Sequence, residues 1–428
     1  MICLSIVILT VLLIILSVIF FPTISIKNIK LSTFWIISLI SAIILIMINQ
    51  VSINNIKNIF LSDSAVNPIK ILVLFISMTI LSIFLDEIGF FKYIAIKAAK
   101  LFKKSQIKLF IGFYILISIL TIFTSNDIII LTFTPFICYY TKNAKINALP
   151  YLISEFVAAN TWSMILIIGN PTNIYLASAL NINFIEYLKT MILPTIFAAV
   201  TSFIILFLIF HRQLNKPIEE FNEQPQPINK FLLIIGLVHL LCATFLLAIS
   251  SYINLEMYLI TLVFSLSLLS ISTVYLVTTK QKLIPIKMTL IRAPWNLVPF
   301  VLSMFILVLS MQEQGITSQI IELLSKSEPT YTYAISAAFC ANLINNIPMS
   351  VLYSTLLQSA SLKAVYATIM ASNISAFITP IGALAGIMFM SLLKVYGIKL
   401  NFFKFMQFGL IIGIPTLLVG VSALFIVL

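Results

Sequence analysis

Apolar runs of about the length needed to cross a lipid core recur along the chain, separated by short polar gaps. A hydrocarbon layer of roughly 30 Å takes about 20 apolar residues in a helix. The pattern predicts such helices over 2–22, 32–49, 68–86, 188–210, 231–250, 254–277, 295–311 and 402–427. Three longer apolar runs, 107–140, 148–180 and 331–393, are each interrupted in the middle by polar or helix-breaking residues. Taking 107–140 and 331–358 as hairpins that enter and leave on one side, with 148–180 and 364–393 each crossing once, makes the gaps alternate between sides. Of the 25 Lys and Arg, all but Lys57, Lys70, Lys189, Lys326 and Lys363 then fall on one side, which the positive-inside rule makes cytoplasmic. That side takes Lys27 and Lys30, the run from Lys92 to Lys108 that includes Lys103 and Lys104, and Arg292, Lys394, Lys399 and Lys404.

The same arrangement divides the chain into 1–210 and 231–428, each of five crossings and one re-entrant hairpin, joined by the polar linker 211–230 with its Glu219-Glu220 and Gln224-Pro225-Gln226-Pro227. An odd number of crossings places the second half upside down, so the expected fold is an all-α polytopic membrane protein of two inverted repeats with broken helices at the midplane. Asp86-Glu87-Ile88-Gly89 at the end of one span is echoed by Gln312-Glu313-Gln314-Gly315 after its counterpart. Met1–Pro22 has no basic leader and reads as a retained membrane helix rather than a cleaved signal.

Composition sharpens this. Hydrophobic residues make up 61% of the 428 and charged residues 9%, against about 25% charged in a soluble domain. A water-facing or disordered chain is excluded. The net charge of +12 sits in short gaps and is too dilute for a nucleic-acid surface. Cys3, Cys138, Cys242 and Cys340 lie within apolar runs without metal-type spacing, so neither disulfides nor zinc are expected.

Four interruptions carry the candidate chemistry. Thr124-Ser125-Asn126-Asp127, followed by Thr134-Pro135, places a carboxylate and an amide at a hairpin tip, where they need a cavity or a ligand. Gly169-Asn170-Pro171-Thr172-Asn173 unwinds a helix, which lipid tolerates only where the freed backbone lines a cavity or meets an ion. In the second half Asn342 to Pro348, with Asn345 and Asn346, mirrors the tip, and Thr379-Pro380-Ile381-Gly382 mirrors the break. Paired interruptions in two halves point to a transport site. Ser125, Asn126, Asp127, Asn170, Thr172, Asn173, Asn345, Asn346, Thr379 and Pro380 are the candidate substrate ligands. Asp127, Gly169, Pro171, Gly382 and Glu155 are the candidates for coupling to H⁺ or Na⁺, with Na⁺ at Asn126 or Asn346; no other metal or cofactor is expected. Glu155 reads either as a proton carrier or as a helix-end residue at the cytoplasmic interface, the latter preferred. His239 reads as a hydrogen-bonded scaffold residue, Asp86, Glu87 and Glu256 as solvated span ends, and 90–104 as a basic interfacial helix.

These motifs resemble the arsenical pump membrane protein (arsenite permease) family, within the ion transporter superfamily of citrate and dicarboxylate carriers. Leu85-Asp86-Glu87-Ile88-Gly89-Phe90-Phe91, Asn126-Asp127 through Thr134-Pro135, Ala293-Pro294-Trp295, Asn345-Asn346-Ile347-Pro348 and Ile378 through Ala385 are each similar to motifs of that family. Where the family carries aspartates before its two breaks, this chain has Asn160 and Asn373, and the family's Gly-Pro-Lys is Ser375-Ala376-Phe377. Gly169 to Asn173 is more similar to the Gly-x-Pro-x-Asn of carboxylate carriers. The resemblance implies ion-coupled export of arsenite or antimonite from the cell (inner or plasma) membrane, and a homodimer. Citrate or dicarboxylate carriage and Na⁺/H⁺ antiport are the alternatives. A channel would need a ring of filter residues, and an enzyme a catalytic set; neither is present. No nucleotide-binding loop is present, which leaves ATP hydrolysis to a separate subunit.

Overall fold

Backbone amides that lie in lipid or dry protein have only one another to bond, so the apolar runs close into helices. The computed structural model describes residues 2–21, 23–26, 29–62, 67–101, 105–218, 224, 226–324 and 328–428. Lys27, Lys103, Lys104, Lys326 and the Glu219, Glu220 and Pro225 part of the linker lie outside the described residues. Among the described residues seven helical stretches are long and apolar enough to cross a membrane: Pro68–Glu87, Gln106–Phe123, Phe184–Leu214, Lys230–Ile249, Met257–Thr278, Ile284–Glu313 and Phe402–Val427. Shorter apolar helices include Thr33–Met47 and Leu384–Val395. The chain is a multi-pass integral membrane protein. Among the described residues the one departure from an all-helical expectation is a two-stranded antiparallel hairpin, Thr23–Ile26 with Ile29–Ser32, in register Thr23 to Ser32.

The same order of elements runs twice along the chain. Pro68–Glu87 ends at Gly89 and is followed by the amphipathic Phe90–Leu101; Leu297–Glu313 ends at Gly315 and is followed by Ile316–Leu324. Both glycines sit in the left-handed region (φ +86° and +71°), which ends a helix without a Cβ clash. Next comes a helical hairpin, Gln106–Phe123 with Asn126–Asn143, and again Pro329–Ile344 with Asn346–Leu356. A broken helix follows each, Leu149–Trp162 resuming as Pro171–Ala179, and Leu362–Ile374 resuming as Leu384–Val395. A long helix closes each series, and these two, Phe184–Leu214 and Phe402–Val427, pack on one another.

Packing between the halves is reciprocal. The arm Asn126–Asn143 leaving the first tip lies on Leu384–Val395, and Asn346–Leu356 leaving the second tip lies on Pro171–Ala179. Lys230–Ile249 and Met257–Thr278 turn Phe245, Ile234 and Val263 outward, as lipid requires. The first arms of the broken helices, Leu149–Trp162 and Leu362–Ile374, are instead buried along nearly their whole length. Phe156 stacks against Phe389 and Phe405 of the other half, with ring centroids 4.7 and 5.4 Å apart. Since lipid tails are as apolar as these rings, close packing and polar contacts hold such a core, each aromatic pair adding ~1 kcal/mol.

Candidate functional site

At the first break the chain caps itself. Leu149–Trp162 stops at Ser163, a 3-10 turn spans Ile167–Gly169, and Asn170 is extended (φ −150°), its side-chain oxygen accepting the Thr172 N–H at 3.1 Å. Pro171 opens the next helix at the position where its missing donor costs nothing. Gly169 is required by proximity, because a Cβ there would lie 2.1 Å from the Ser163 carbonyl oxygen. Asn173 Nδ2 donates to the carbonyls of Ser163 (2.9 Å) and Leu166 (3.2 Å), so the protein itself satisfies oxygens that the break releases.

The second break is tied to its own hairpin tip. Asn345 is held at φ +77°, donates from Nδ2 to the Ile381 carbonyl at 3.0 Å, and accepts the Ile347 N–H. The Asn346 N–H donates to the Gly382 carbonyl at 3.0 Å, and Thr379 Oγ1 donates to Asn342 Oδ1 at 2.7 Å. A Cβ on Gly382 would meet the Ser375 carbonyl oxygen at 2.7 Å. At the first tip Asn126 Nδ2 donates to Asn160 Oδ1 at 2.9 Å.

Asn373 joins the two breaks. Its Oδ1 accepts from Asn170 Nδ2 (2.9 Å) and Ser163 Oγ (3.0 Å), while its Nδ2 donates to Asn173 Oδ1 (2.6 Å). Thr172 and Ser372 hydroxyls pair beside it at 2.9 Å. Ser163 Oγ also donates to the Asn160 carbonyl, so the first tip, the first break and Asn373 form one polar network, beside which the second tip is tied to the second break. The sequence reading registered Asn160 and Asn373 only as departures from a motif and passed over Ser163 and Ser372. A usable signal was there: Asn373 precedes Gly382 by the same spacing as Asn160 precedes Gly169. Ser125 Oγ, Asn126 Oδ1, Thr161 Oγ1 and Ser375 Oγ are buried without a protein partner. Such oxygens suit a small hard cation or the hydroxyls of an oxyacid.

A cavity of about 1240 Å³ opens beside the first tip and the second break. Asp127, Ile128 and Leu131 of the first tip arm, Pro380, Ile381 and Leu384 of the second break, and Thr79 and Ile83 line it. Arg292, Lys394, Lys399 and Lys404 also line it, all from the side expected to be cytoplasmic. Of the predicted site residues, Asp127 and Pro380 line this cavity, whereas Gly169, Asn170, Pro171, Thr172, Asn173, Asn345, Asn346, Thr379 and Gly382 do not. Ser125 and Asn126 lie just behind Asp127. The other end is lined differently. A 400 Å³ cavity bordered by the Lys70–Glu256 ion pair (2.6 Å) lies there, as does a pocket of only 20 Å³ between Pro171, Tyr175, Ile347 and Ser350.

Three expectations change. Glu155 is fully buried and accepts a hydrogen bond from Thr134 Oγ1 at 3.0 Å, so it is no interfacial helix end; the hairpin arm covers it. Asp86 and Glu87 are not solvated, since both pair with Arg292 across the halves, Asp86 at 2.8 Å. Glu256 is exposed at its span end, as expected, while it pairs with Lys70. His239 is a scaffold residue, bonded to the Ile235 carbonyl (2.8 Å) and Ser267 (3.2 Å). The four cysteines are free thiols.

Residues 6–364 match the model of the citrate transporter family. The chain is 25% identical over 374 residues to the arsenical pump membrane protein of Escherichia coli (strain K12), covering 82% of this chain and 84% of that one. The arsenical pump membrane protein of Yersinia enterocolitica matches equally, at 25% over 374 residues with the same coverage. The crystal structure of the Alcanivorax borkumensis YdaH transporter, described as having an unusual topology, superposes with a TM-score of 0.57 at 13% identity. It covers 99% of this chain and 97% of that one, a likeness of fold. The chain belongs to the citrate transporter family and is a membrane transporter, not an enzyme.

Proposed function

We propose that the protein is an ion-coupled secondary transporter of a small oxyacid or anion, exporting arsenite or antimonite by alternating access between two inverted repeats. The observation that carries this reading is a polar network joining the first tip, the first break and Asn373, set beside the bonded second tip and second break, with a cavity lined by Asp127 and Pro380 on one side. The network holds amides and hydroxyls but no cationic side chain. Groups of that kind pair with the hydroxyls of a neutral oxyacid, which is the main form of arsenite in neutral water, better than with a multiply charged carboxylate. Cys138 and Cys340 do not line the cavity, so the solute is held through oxygen rather than sulfur. Asp127, a carboxylate on the cavity wall, carries the coupling charge. The unpartnered oxygens of Ser125 and Asn126 receive a coupling Na⁺ where the ion is not a proton.

Arg292 and the lysines of the cavity mouth favour a second reading, a citrate or dicarboxylate carrier. Proteoliposomes separate the two. Arsenite, antimonite, citrate and succinate fluxes are measured under imposed H⁺ and Na⁺ gradients. Saturable, gradient-driven arsenite flux with counterflow is expected. Gradient-driven citrate flux without arsenite flux supports the second reading, and no saturable flux of any of the four overturns both.

A further inference from the structure

Among the described residues Glu155 is the only carboxylate whose side chain is fully buried, and neither the network nor the cavity uses it. It stands on Leu149–Trp162, N-terminal to Asn160, in a helix packed on Gln106–Phe123, Asn126–Asn143, Phe184–Leu214 and Leu362–Ile374. None of the charged groups on those helices, Lys108, Asp127, Lys142, Glu186 and Lys363 among them, bonds to it. The Cys138 thiol of the hairpin arm, itself buried, is close enough to feel the charge of Glu155. Glu155 Oε1 accepts one hydrogen bond, from Thr134 Oγ1 at 3.0 Å, and Oε2 has no partner at all.

An ionised carboxylate offers about four lone-pair positions and needs donors or a cation at most of them. This pocket supplies one hydroxyl at hydrogen-bond distance with the Thr134 backbone N–H near it, fewer donors than the anion needs, so it is built for the neutral acid. The pocket is also joined to the cavity wall. Pro135 sits inside the hairpin arm next to Thr134 and has no N–H to give the carbonyl of Leu131 one turn earlier, and Leu131 lines the cavity. A freed carbonyl and a hydroxyl therefore lie along the arm between the cavity and Glu155. Two rungs, Asn126–Asn160 and Thr134–Glu155, clamp the tip arm to the broken helix.

We propose that Glu155 carries the coupling proton: Oε2 binds it, the neutral acid rides buried beneath the hairpin arm, and the proton leaves to water when the Thr134 rung parts. This rests on the reading of the protein as an ion-coupled carrier, with Asp127 as the charge on the cavity wall and Glu155 as the dry proton site behind it. It implies that the carboxyl is protonated at neutral pH and exchanges that proton without unfolding.

Infrared spectroscopy of the purified full chain in lipid nanodiscs tests this without a solute. The expected spectrum contains a protonated carboxyl carbonyl band at neutral pH that is lost in Glu155→Gln and kept in Asp127→Asn. In deuterated buffer the band shifts while the protein stays folded. Thr134→Val keeps the acid and removes its donor, so the band moves to higher frequency; this variant decides the assignment if Glu155→Gln fails to fold. No band difference means an ionised Glu155, and a band that shifts only on unfolding means a locked structural acid; either result overturns the proposal. In vesicles loaded with arsenite, Glu155→Gln is expected to make efflux independent of the pH gradient. If the wild type moves no arsenite under any gradient, the proposed function fails while the spectra still decide the role of Glu155.

Discussion

The two approaches to the polar network are built from matching elements and end differently. One runs through 1240 Å³ to Asp127 on the first tip and Pro380 on the second break. The other stops at 20 Å³, where Ile347, the residue following the paired asparagines of the second tip, packs near Pro171 of the first break. A carboxylate marks the wide approach and an isoleucine the narrow one. The carboxylate of Asp127 thus stands on a cavity wall rather than sealed in the core, as the cost of a buried charge dictates. Arg292 sharpens the contrast: it lines the open cavity while pairing with Asp86 and Glu87, so the two acids of that span end do not compete with Asp127 for charge.

The largest expected effect is steric and separates the two breaks. Gly169→Ala drives a Cβ to 2.1 Å from backbone and is expected to cost about 3 kcal/mol or more, whereas Gly382→Ala, at 2.7 Å, costs roughly half as much. Thermal unfolding in detergent reads both; equal losses would mean that the first break relaxes as easily as the second. Next comes the network. Asn373→Ala leaves Asn170, Asn173 and Ser163 without a shared partner and is expected to lose ~2–3 kcal/mol, against ~1 kcal/mol for Asn160→Ala, which frees Asn126. Denaturant or thermal melts of both variants check that order, and a reversed order would place the centre of the network at the first tip.

Charge comes third. Asp127→Asn is expected to lower ion-driven flux about tenfold, equivalent to ~1.4 kcal/mol, while Ile347→Val changes it less than about twofold. Equal losses in vesicle flux would remove the distinction between the approaches. The smallest effect belongs to the rim. Lys394→Gln with Lys399→Gln is expected to slow anion entry a few-fold at low salt and not at all at high salt, where the Debye length falls to about 3 Å. A loss that survives high salt would make these lysines direct ligands.

Much of this was legible in the chain because lipid imposes a strong code. Runs of apolar residues, Pro171 and Pro380 beside glycines, and amides at 126, 345 and 346 mark helices, breaks and tips by local rules alone. The expected spans fall within a few residues of the observed helices, though 188–210 widens to Phe184–Leu214 because Asn183 caps the helix earlier, accepting the Glu186 N–H. Asn373 was not legible as the centre of the network, because its partners Asn170 and Asn173 arrive from the other half of the chain. Glu155 was misplaced for the same reason. Its distance from the break along the helix says nothing of the hairpin arm that folds over it.

By itself, then, the sequence determined that this is a membrane protein, where its helices begin and break, and which residues stand at those interruptions. These follow from neighbours along one helix and from the demand that every peptide group in lipid find a partner within its own segment. Only the tertiary structure decided that the four interruptions meet, which side the cavity opens to, and which acids are paired, solvated or sealed. Those depend on side chains brought together from opposite halves, whose contacts leave no periodic trace in either stretch of sequence.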